Sequence, residues 1–308
     1  MPAAVSIVVV THRGVGELVR SCLASISESA ADAAVIDHST IVVDNSGGPA
    51  VAPEAYGPAV THVVRVDNRG FGAAANAGIR IARRESGGPI AVVNDDVRVR
   101  ADWLAPLVEA LDDDRGLGAV QPALVFEDSV AVNSLGVDLD RYGAGSDRGL
   151  GQSIKHLGSA SSIDVFTAGA VLFRRRFLED TGGFDERYFL YYEDVDLALR
   201  GAERGWRYAC VPTSTVAHAK GATTDETADD ARRLQERNRI VVAARFFAPT
   251  TVGRALWMSV RRLRHQPHAA HLRALAGGLV RMPRAFVERR RAARNAADVE
   301  TPTGGNAR

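Results

Sequence analysis

Lysine is nearly missing from this chain of 308 residues. Only Lys155 and Lys220 occur, so almost all of its positive charge is arginine, a bias that genomic composition explains without any function. Cysteine is as scarce. Cys22 and Cys210 each stand inside an apolar pattern and read as small buried hydrophobes, which gives neither a disulfide framework nor a reason to place the chain in an oxidising compartment. No apolar run reaches the ~20 residues of a membrane-spanning helix. The N-terminal run AVSIVVV has no basic segment before it and is short, so it predicts a buried strand rather than a secretory signal. These absences lead to the expectation of a cytoplasmic protein. What is there, 46% hydrophobic and 24% charged residues with a formal net charge of +1, suits one large α/β domain plus an appendage.

The near-neutral total hides an asymmetry. Between Arg254 and Arg294 stand eleven arginines and one acid, Glu288, a local charge of +10 that leaves the rest of the chain at −9. The tail therefore presents a different surface from the body.

Along the first 120 residues, short apolar runs alternate with helical patterns. VSIVVV, IVVD (41–44), THVVRV (61–66) and IAVVN (90–94) predict strands. Leu18, Val19, Cys22, Leu23 and Ile26 share one helical face, and Trp103, Leu104, Leu107, Val108 and Leu111 another. Such βα units predict a mostly parallel sheet with helices on both faces. Ligands of these sheets sit beyond the carboxyl ends of the strands. The residues there are Thr11-His12-Arg13, Asp44-Asn45-Ser46, Asp67-Asn68-Arg69-Gly70 and Asn94-Asp95-Asp96, more polar and acidic than turns require. From 128 to 163 the pattern dissolves into Gly, Ser, Asp and Arg, as expected of a binding loop or a disordered segment.

Gly70-Phe71-Gly72 followed by Ala75 fits G-x-G-x-x-A after a strand and at a helix start, the context of a dinucleotide fingerprint. Two βα units precede it, whereas that fingerprint belongs to the first turn of its fold. It also leaves YYEDVDLALR (191–200) unexplained, where three acids, Glu193, Asp194 and Asp196, crowd a helix start. Acids there complement the helix dipole, and one of them has room for a second task.

The ordered set VTHR, VVDNS, DNRGFGAAANAG, VVNDDV, the run from AGAVLF to YYEDVDLALR, GWR, VAHAKGAT and ERNR resembles the family 2 inverting glycosyltransferases of the GT-A fold over residues 4 to 245. Within that family it looks most like the rhamnosyltransferase-type enzymes of bacterial surface polysaccharide assembly. The resemblance implies a GT-A catalytic domain over 1–245, with a nucleotide-binding part to about 125 and an acceptor part over 126–245. A basic amphipathic helical extension over 246–294 and a disordered tail over 295–308 would follow.

The resemblance also distributes roles. A sugar leaving from a diphosphate builds negative charge, for which a hard divalent cation, Mg²⁺ or Mn²⁺, held by carboxylates suits best. Asn94-Asp95-Asp96 resembles the family's Asp-x-Asp motif with Asn replacing the first acid, making Asp96 the expected ligand and Asp95 a donor contact. His218 matches a histidine that completes the metal site or touches the diphosphate in some relatives. Thr11 and Asp44 match positions that contact base and ribose, and Asp44 could accept from a pyrimidine N–H of a uridine or thymidine donor. Arg69 would pair with phosphate, while Gly72 and Asn76 line the helix behind it. Asp194 matches the catalytic base that takes the proton of the acceptor hydroxyl, with Glu193 orienting it. Asp196, four residues before Arg200, has the spacing of a helical ion pair of about 0.5 kcal/mol and is expected to be scaffold. Gly169, Asp185 and Trp206 are expected along the acceptor side, Trp206 as an aromatic of the acceptor wall or of the core. No role follows for Glu236, Arg237, Asn238 and Arg239.

In the tail, Val252, Leu256, Val260 and Leu263 make one apolar stripe with Trp257 beside it, and Leu272, Leu275, Leu279 and Met282 a second. Arginine on the other faces predicts either an anionic membrane surface as partner, at the inner face of the plasma membrane, or a helical cap with a solvated basic side. No nucleic-acid motif accompanies the charge. The reading is a metal-dependent glycosyltransferase acting on a lipid-linked or cell-surface glycan, with rhamnose as first guess. A sugar nucleotidyltransferase, a dehydrogenase and a non-catalytic sugar-binding relative remain as alternatives.

Overall fold

The computed structural model describes residues 4–32, 37–49, 51–127, 129–158, 160–218, 228–264 and 268–300. All of the AKGAT loop and the last eight residues of the predicted tail lie outside them. Among the described residues there are twelve strands: β1 (Val5–Thr11), β2 (His38–Asp44), β3 (Val60–Arg65), β4 (Ile90–Asn94), β5 (Val97–Val99), β6 (Leu117–Phe126), β7 (Val132–Ser134), β8 (Val137–Leu139), β9 (Gly145–Asp147), β10 (Ser161–Ile163), β11 (Ala170–Phe173) and β12 (Arg207–His218). The helices are α1 (Glu17–Asp32), α2 (Phe71–Glu85), α3 (Ala105–Asp113), α4 (Arg175–Thr181), α5 (Glu193–Ala202), α6 (Ala228–Phe246), α7 (Pro249–Arg262) and α8 (His268–Glu300).

Contacts divide the chain into two units. The first comprises residues 1–138 and 145–225, the second 139–144 and 226–308. The division falls at 225, whereas the motif resemblance runs to 245. The first unit is built on a sheet of order β10-β12-β6-β11-β4-β1-β2-β3, with β5 beside β12 and β7 beside β6. β1, β2, β3 and β4 run parallel, and β12 runs parallel to β6, while β11 is antiparallel to both β4 and β6. Thus every long strand except β11 points the same way.

The reason is legible in β1. Seven consecutive residues of VSIVVVT are buried, the pattern of a strand covered on both faces. Helix α2 packs on β1 and β2, and α3 on β6 and β12. Val5, Ile7, Val9, Cys22, Ile26, Trp103 and Leu107 share one apolar core. Both cysteines are buried and free, as expected. A second core is aromatic: Phe166 meets Phe173, Phe177 and Tyr208 edge-on at 5.1–6.3 Å between centroids.

The stretch 128–163, expected to be irregular, is instead folded in its described residues as β7 to β10. Arg148 anchors it, its Nε donating to Asp138 Oδ1 (2.8 Å) and its Nη1 to the Ser162 carbonyl (3.0 Å). Short antiparallel pieces like these lack the period that a sequence pattern needs.

The second unit holds α6, α7 and α8 around Ala244, Val252 and Ala285, with Leu256, Met282 and Phe286 packed on them. Val252, Leu256 and Met282 belong to the stripes read from the sequence, so part of each predicted outward face points into the core. α8 runs on to Glu300, past the point where the sequence reading ended the helical extension.

Candidate active site

Parallel pairing puts the polar strand ends side by side. Thr11 is in register with Asp44, and Val10 with Asn94. Because β11 runs the other way, its start, preceded by Gly169, lies at the same edge, and the Asn94 amide donates to the Gly169 carbonyl (3.0 Å). β12 ends there too: His218 is in register with Val97 of β5, which follows Asp96 directly. The structure therefore gathers Thr11, Asp44, Asn94, Asp95, Asp96, Gly169 and His218 along one edge of one sheet.

Asp96 is the most exposed to consequence. It is buried, and among the described residues neither carboxylate oxygen accepts a hydrogen bond. His218 Nε2 lies 3.3 Å from Oδ2, near enough to attract but not aligned to donate. A buried carboxylate without donors costs free energy unless a cation completes it. Its oxygens and the imidazole are a fitting donor set for Mg²⁺ or Mn²⁺, although no cluster of three or more ligating side chains occurs among the described residues. Burial works against a charged His218, yet the neighbouring Asp96 and Asp147 outweigh it and raise its pKa above the ordinary value. Asp95, equally buried, is pushed upward by burial, with the Thr11 hydroxyl and the charges of His12 and Arg13 pulling back.

The base candidate stands across from this turn. Asp194 Oδ2 accepts from the Ala168 amide (3.2 Å) and Oδ1 from the Val195 amide (2.8 Å), and the carboxylate is half-buried. Ala168 adjoins Gly169, so one short loop holds both the carboxylate and the Asn94 turn. That loop is fixed in turn by Gln121, fully buried on β6, whose Oε1 accepts from the Thr167 amide (2.9 Å). Burial raises the Asp194 pKa, the two backbone amides offsetting part of the shift. Glu193 is buried deeper, its Oε2 without a partner among the described residues, and burial and then Asp194 push its pKa well above the usual carboxylate range. The segment before them is strained: Phe189, Tyr191 and Tyr192 all have positive φ of 66–70°, each costing on the order of 1–3 kcal/mol.

Sequence reasoning missed Asp147. Its exposed carboxylate at the end of β9 acts electrostatically on both His218 and Asp194. No motif marks it, because it lies in the aperiodic stretch. Gln121 and Ala168 were missed for the same kind of reason: a buried amide and a backbone N–H carry no sequence signature.

Other expected site residues already have partners within the protein. Gly70 has φ of 95°, and a Cβ there would meet the Phe189 carbonyl oxygen at 2.0 Å. The Phe71 amide donates to that same oxygen (2.8 Å), so the chain itself occupies the N-terminus of α2 where a dinucleotide fingerprint would seat pyrophosphate. A Cβ on Gly72 would meet Phe184 Cβ at 3.1 Å, a packing reason for a small residue. Asn76 donates to the Phe184 carbonyl (2.9 Å) and accepts from the Phe184 amide (3.0 Å), which spends its side chain on holding that turn. Arg69 is exposed and pairs with Glu186 at 3.2 Å. Asp185 accepts from Arg187 Nε (2.7 Å). Asp44 is buried, with Oδ1 accepting from the Ser46 amide (3.0 Å) and Oδ2 from the Tyr56 hydroxyl (2.9 Å). Trp206 is a correction. It precedes β12, at the opposite end of that strand from His218, with its ring edge-on to Phe177 (6.0 Å). It extends the aromatic core and does not reach the site.

Asp196 is also more than a surface pair. It is fully buried, accepts from Arg200 Nε at 2.7 Å and from the Tyr188 hydroxyl at 3.2 Å, and Arg200 in turn donates to the carbonyls of Thr181 and Gly183. Glu236 and Arg239, for which the sequence offered no role, form a buried network in the second unit. Arg239 Nη2 donates to Glu236 Oε1 (2.6 Å) and Ser259 Oγ (2.7 Å), and Arg262 Nη1 donates to Glu236 Oε2 (2.6 Å). They join α6 to α7.

The profile described as glycosyl transferase family 2 matches residues 6–182. The N-acetylglucosaminyl-diphospho-decaprenol L-rhamnosyltransferase of Mycobacterium tuberculosis is 41% identical over 66 residues, a stretch of 21% of this chain and 22% of that protein. An uncharacterized protein, y4gI of Sinorhizobium fredii, is 28% identical over 65% of this chain and 23% of its own length. The chain thus spans about a fifth of the length of these relatives. Among solved structures, GalNAc-T7 with UDP, GalNAc and Mn²⁺ superposes with a TM-score of 0.61 at 14% identity, covering 98% of this chain and 58% of that one. A mannosyltransferase of Pyrobaculum calidifontis with GDP-Man and Mn²⁺ gives 0.53 at 18% identity, covering 98% and 77%. S. aureus TarS 1-349 gives 0.52 at 11% identity, covering 95% and 92%. These likenesses are of fold, and with the profile match they displace the dehydrogenase and nucleotidyltransferase readings. A mostly parallel α/β sheet, acids gathered at its carboxyl edge and a profile spanning more than half the chain agree: the protein is a glycosyltransferase of family 2.

Proposed function

We propose that the protein transfers a sugar, rhamnose first, with inversion, from a nucleoside diphosphate donor to a hydroxyl of a lipid-linked or surface glycan, with a divalent cation bound. The observation that carries this reading is the single loop at 167–169. It holds the half-buried Asp194 carboxylate through the Ala168 amide and the Asn94 turn through the Gly169 carbonyl. Asp194 has a raised pKa, as a base working near neutrality needs. It takes the proton as the acceptor oxygen forms its bond to the anomeric carbon. The bond from that carbon to the diphosphate oxygen breaks on the opposite face, and the electron pair leaves with the nucleoside diphosphate. Asp96 and His218 would hold the cation, which offsets the charge gathering on that leaving group. Thr11, Asp95 and Arg69 would bind the donor, with Asp44 reading an N–H of a uracil or thymine base. Rhamnose rests on the 66-residue match to the mycobacterial rhamnosyltransferase. A lipid-linked acceptor would bring the enzyme to the inner face of a membrane.

The test is a thermal-shift screen of thymidine-, uridine- and guanosine-diphosphate sugars with and without Mn²⁺, because at equal concentration a tighter ligand of the folded state raises the melting temperature more. A rhamnose donor stabilising only with the metal is expected, followed by a product of inverted anomeric configuration by NMR. Stabilisation by no donor, or retention at the anomeric carbon, overturns the reading.

A further inference from the structure

α8 carries an apolar face that no described residue of the second unit covers. Val280 is 78% exposed, and Leu272, Leu279 and Val287 are each about half exposed. On a 3.6-residue wheel these four, with Ala276 and Pro283, fall within roughly 100° of one another. His271, Ala274, Gly278 and Ala285 occupy the opposite side and are buried in the unit's core. The helix is thus apolar on two faces, and only one is needed to hold it in place. On α7, Trp257 is 55% exposed with Val260 beside it, and the Arg261 guanidinium lies over its ring, 5.4 Å from the centroid.

The chemistry of the surroundings names the occupant. Arg273 and Arg291 are exposed along one flank of the α8 stripe, and Arg284 between them pairs with Glu288 at 3.0 Å, the one acid between Arg254 and Arg294. A protein partner's apolar helix would leave this arginine row unmatched, whereas an anionic lipid surface matches both parts, headgroups to guanidinium and acyl chains to the stripe. No helix among the described residues is long and apolar enough to cross a membrane, so the fit is to lying on it. Tryptophan under an arginine suits the headgroup level.

We propose that the outward stripe of α8, with Trp257 of α7, seats the protein on an anionic phospholipid surface. This face overlaps the stripes the sequence suggested only in part: Leu272, Leu279, Val260 and Trp257 stay outward, whereas Val252, Leu256 and Met282 turn inward. The proposal deepens the lipid-linked acceptor reading and rests on it for its purpose, but its test does not use the acceptor.

Full-length protein is sedimented with vesicles holding roughly one-third phosphatidylglycerol in phosphatidylcholine, at about 0.1 M salt, where surface charges still act. Wild type is expected to bind these and not pure phosphatidylcholine. Val280→Glu should weaken binding about tenfold or more, as loss of one inserted side chain implies, with melting temperature and donor hydrolysis unchanged. Arg273→Gln/Arg291→Gln should weaken it less and flatten its salt dependence, which keeps the test alive if Val280→Glu folds poorly. Equal binding by wild type and both variants overturns the proposal. So does a wild-type dimer that Val280→Glu turns into monomer without vesicle binding, since the stripe would then face a second copy. Loss of donor hydrolysis in wild type would instead strike the enzymatic reading and leave this one standing.

Discussion

At Asp194, burial that raises the pKa and two backbone amides that lower it are set against each other, and burial wins. Asp194→Asn keeps the size of the side chain and removes the base. General-base assistance is worth roughly 10²–10⁴ in rate, or about 3–5 kcal/mol of barrier, so kcat should fall by that factor while calorimetric donor affinity holds. The melting temperature should not fall. A carboxyl whose folded-state pKa is raised favours folding below its unfolded value and loses that contribution as pH rises through the folded one, so at neutral pH the ionised acid is no asset to stability. The same shift dictates the pH profile. Activity needs the ionised form, hence kcat should rise with pH on a limb whose midpoint lies above the ordinary value of 3.8. A limb at or below that value would remove Asp194 from the role. Asp96→Ala tests the other half: metal-dependent donor stabilisation should disappear, and an unchanged response to Mn²⁺ would place the cation elsewhere.

Helices α5 and α6 each turn on one buried ion pair. The i,i+4 spacing of Asp196 and Arg200 suggests a marginal surface pair, but both side chains are almost wholly buried. Removing one partner of a buried pair leaves the other charge uncompensated, at a cost of about 3–5 kcal/mol. Asp196→Asn should therefore lower the free energy of unfolding by that amount in denaturant titration, several times what an exposed pair would give. Glu236 makes the same argument in the second unit with a pH signature. Burial raises its pKa, but Arg239, Ser259 and Arg262 together lower it below the ordinary 4.5. A carboxylate depressed on folding contributes stability above its unfolded pKa and loses it as pH falls through the folded one. The second unit should thus loosen on acidification below about 4.5, and Glu236→Gln should remove much of that pH dependence by circular dichroism.

For the whole molecule, the division at residue 225 bears on how the tail is removed. Cutting at 253 strips Ser259 and Arg262 from Glu236, and takes Ala285 and Met282 from the core around Ala244. Such a truncation should expose hydrophobic surface and bind an apolar dye, whereas the exposed Val280→Glu should not. Loss of vesicle binding after truncation alone would say nothing about lipid.

The parallel sheet and its polar carboxyl edge were legible in the sequence, because fully buried β-branched runs such as VSIVVV and the acids following them are local patterns. So was the order of the motifs that places the chain in its family. Which members of those motifs meet was not. Asn76 and Gly72 share a helix with the predicted donor contacts, yet their partners are Phe184 and Glu193, more than a hundred residues away. Trp206 sits in a motif like any other, and only the direction of β12 shows that it lies at the wrong end of the strand. The tail shows the same division most plainly. Its arginines and apolar spacing are sequence facts, but a helix with two apolar faces carries no mark saying which one the core will take. Packing of α8 against α6 made that choice, burying His271, Ala274, Gly278 and Ala285 and leaving Leu272, Leu279, Val280 and Val287 to the outside.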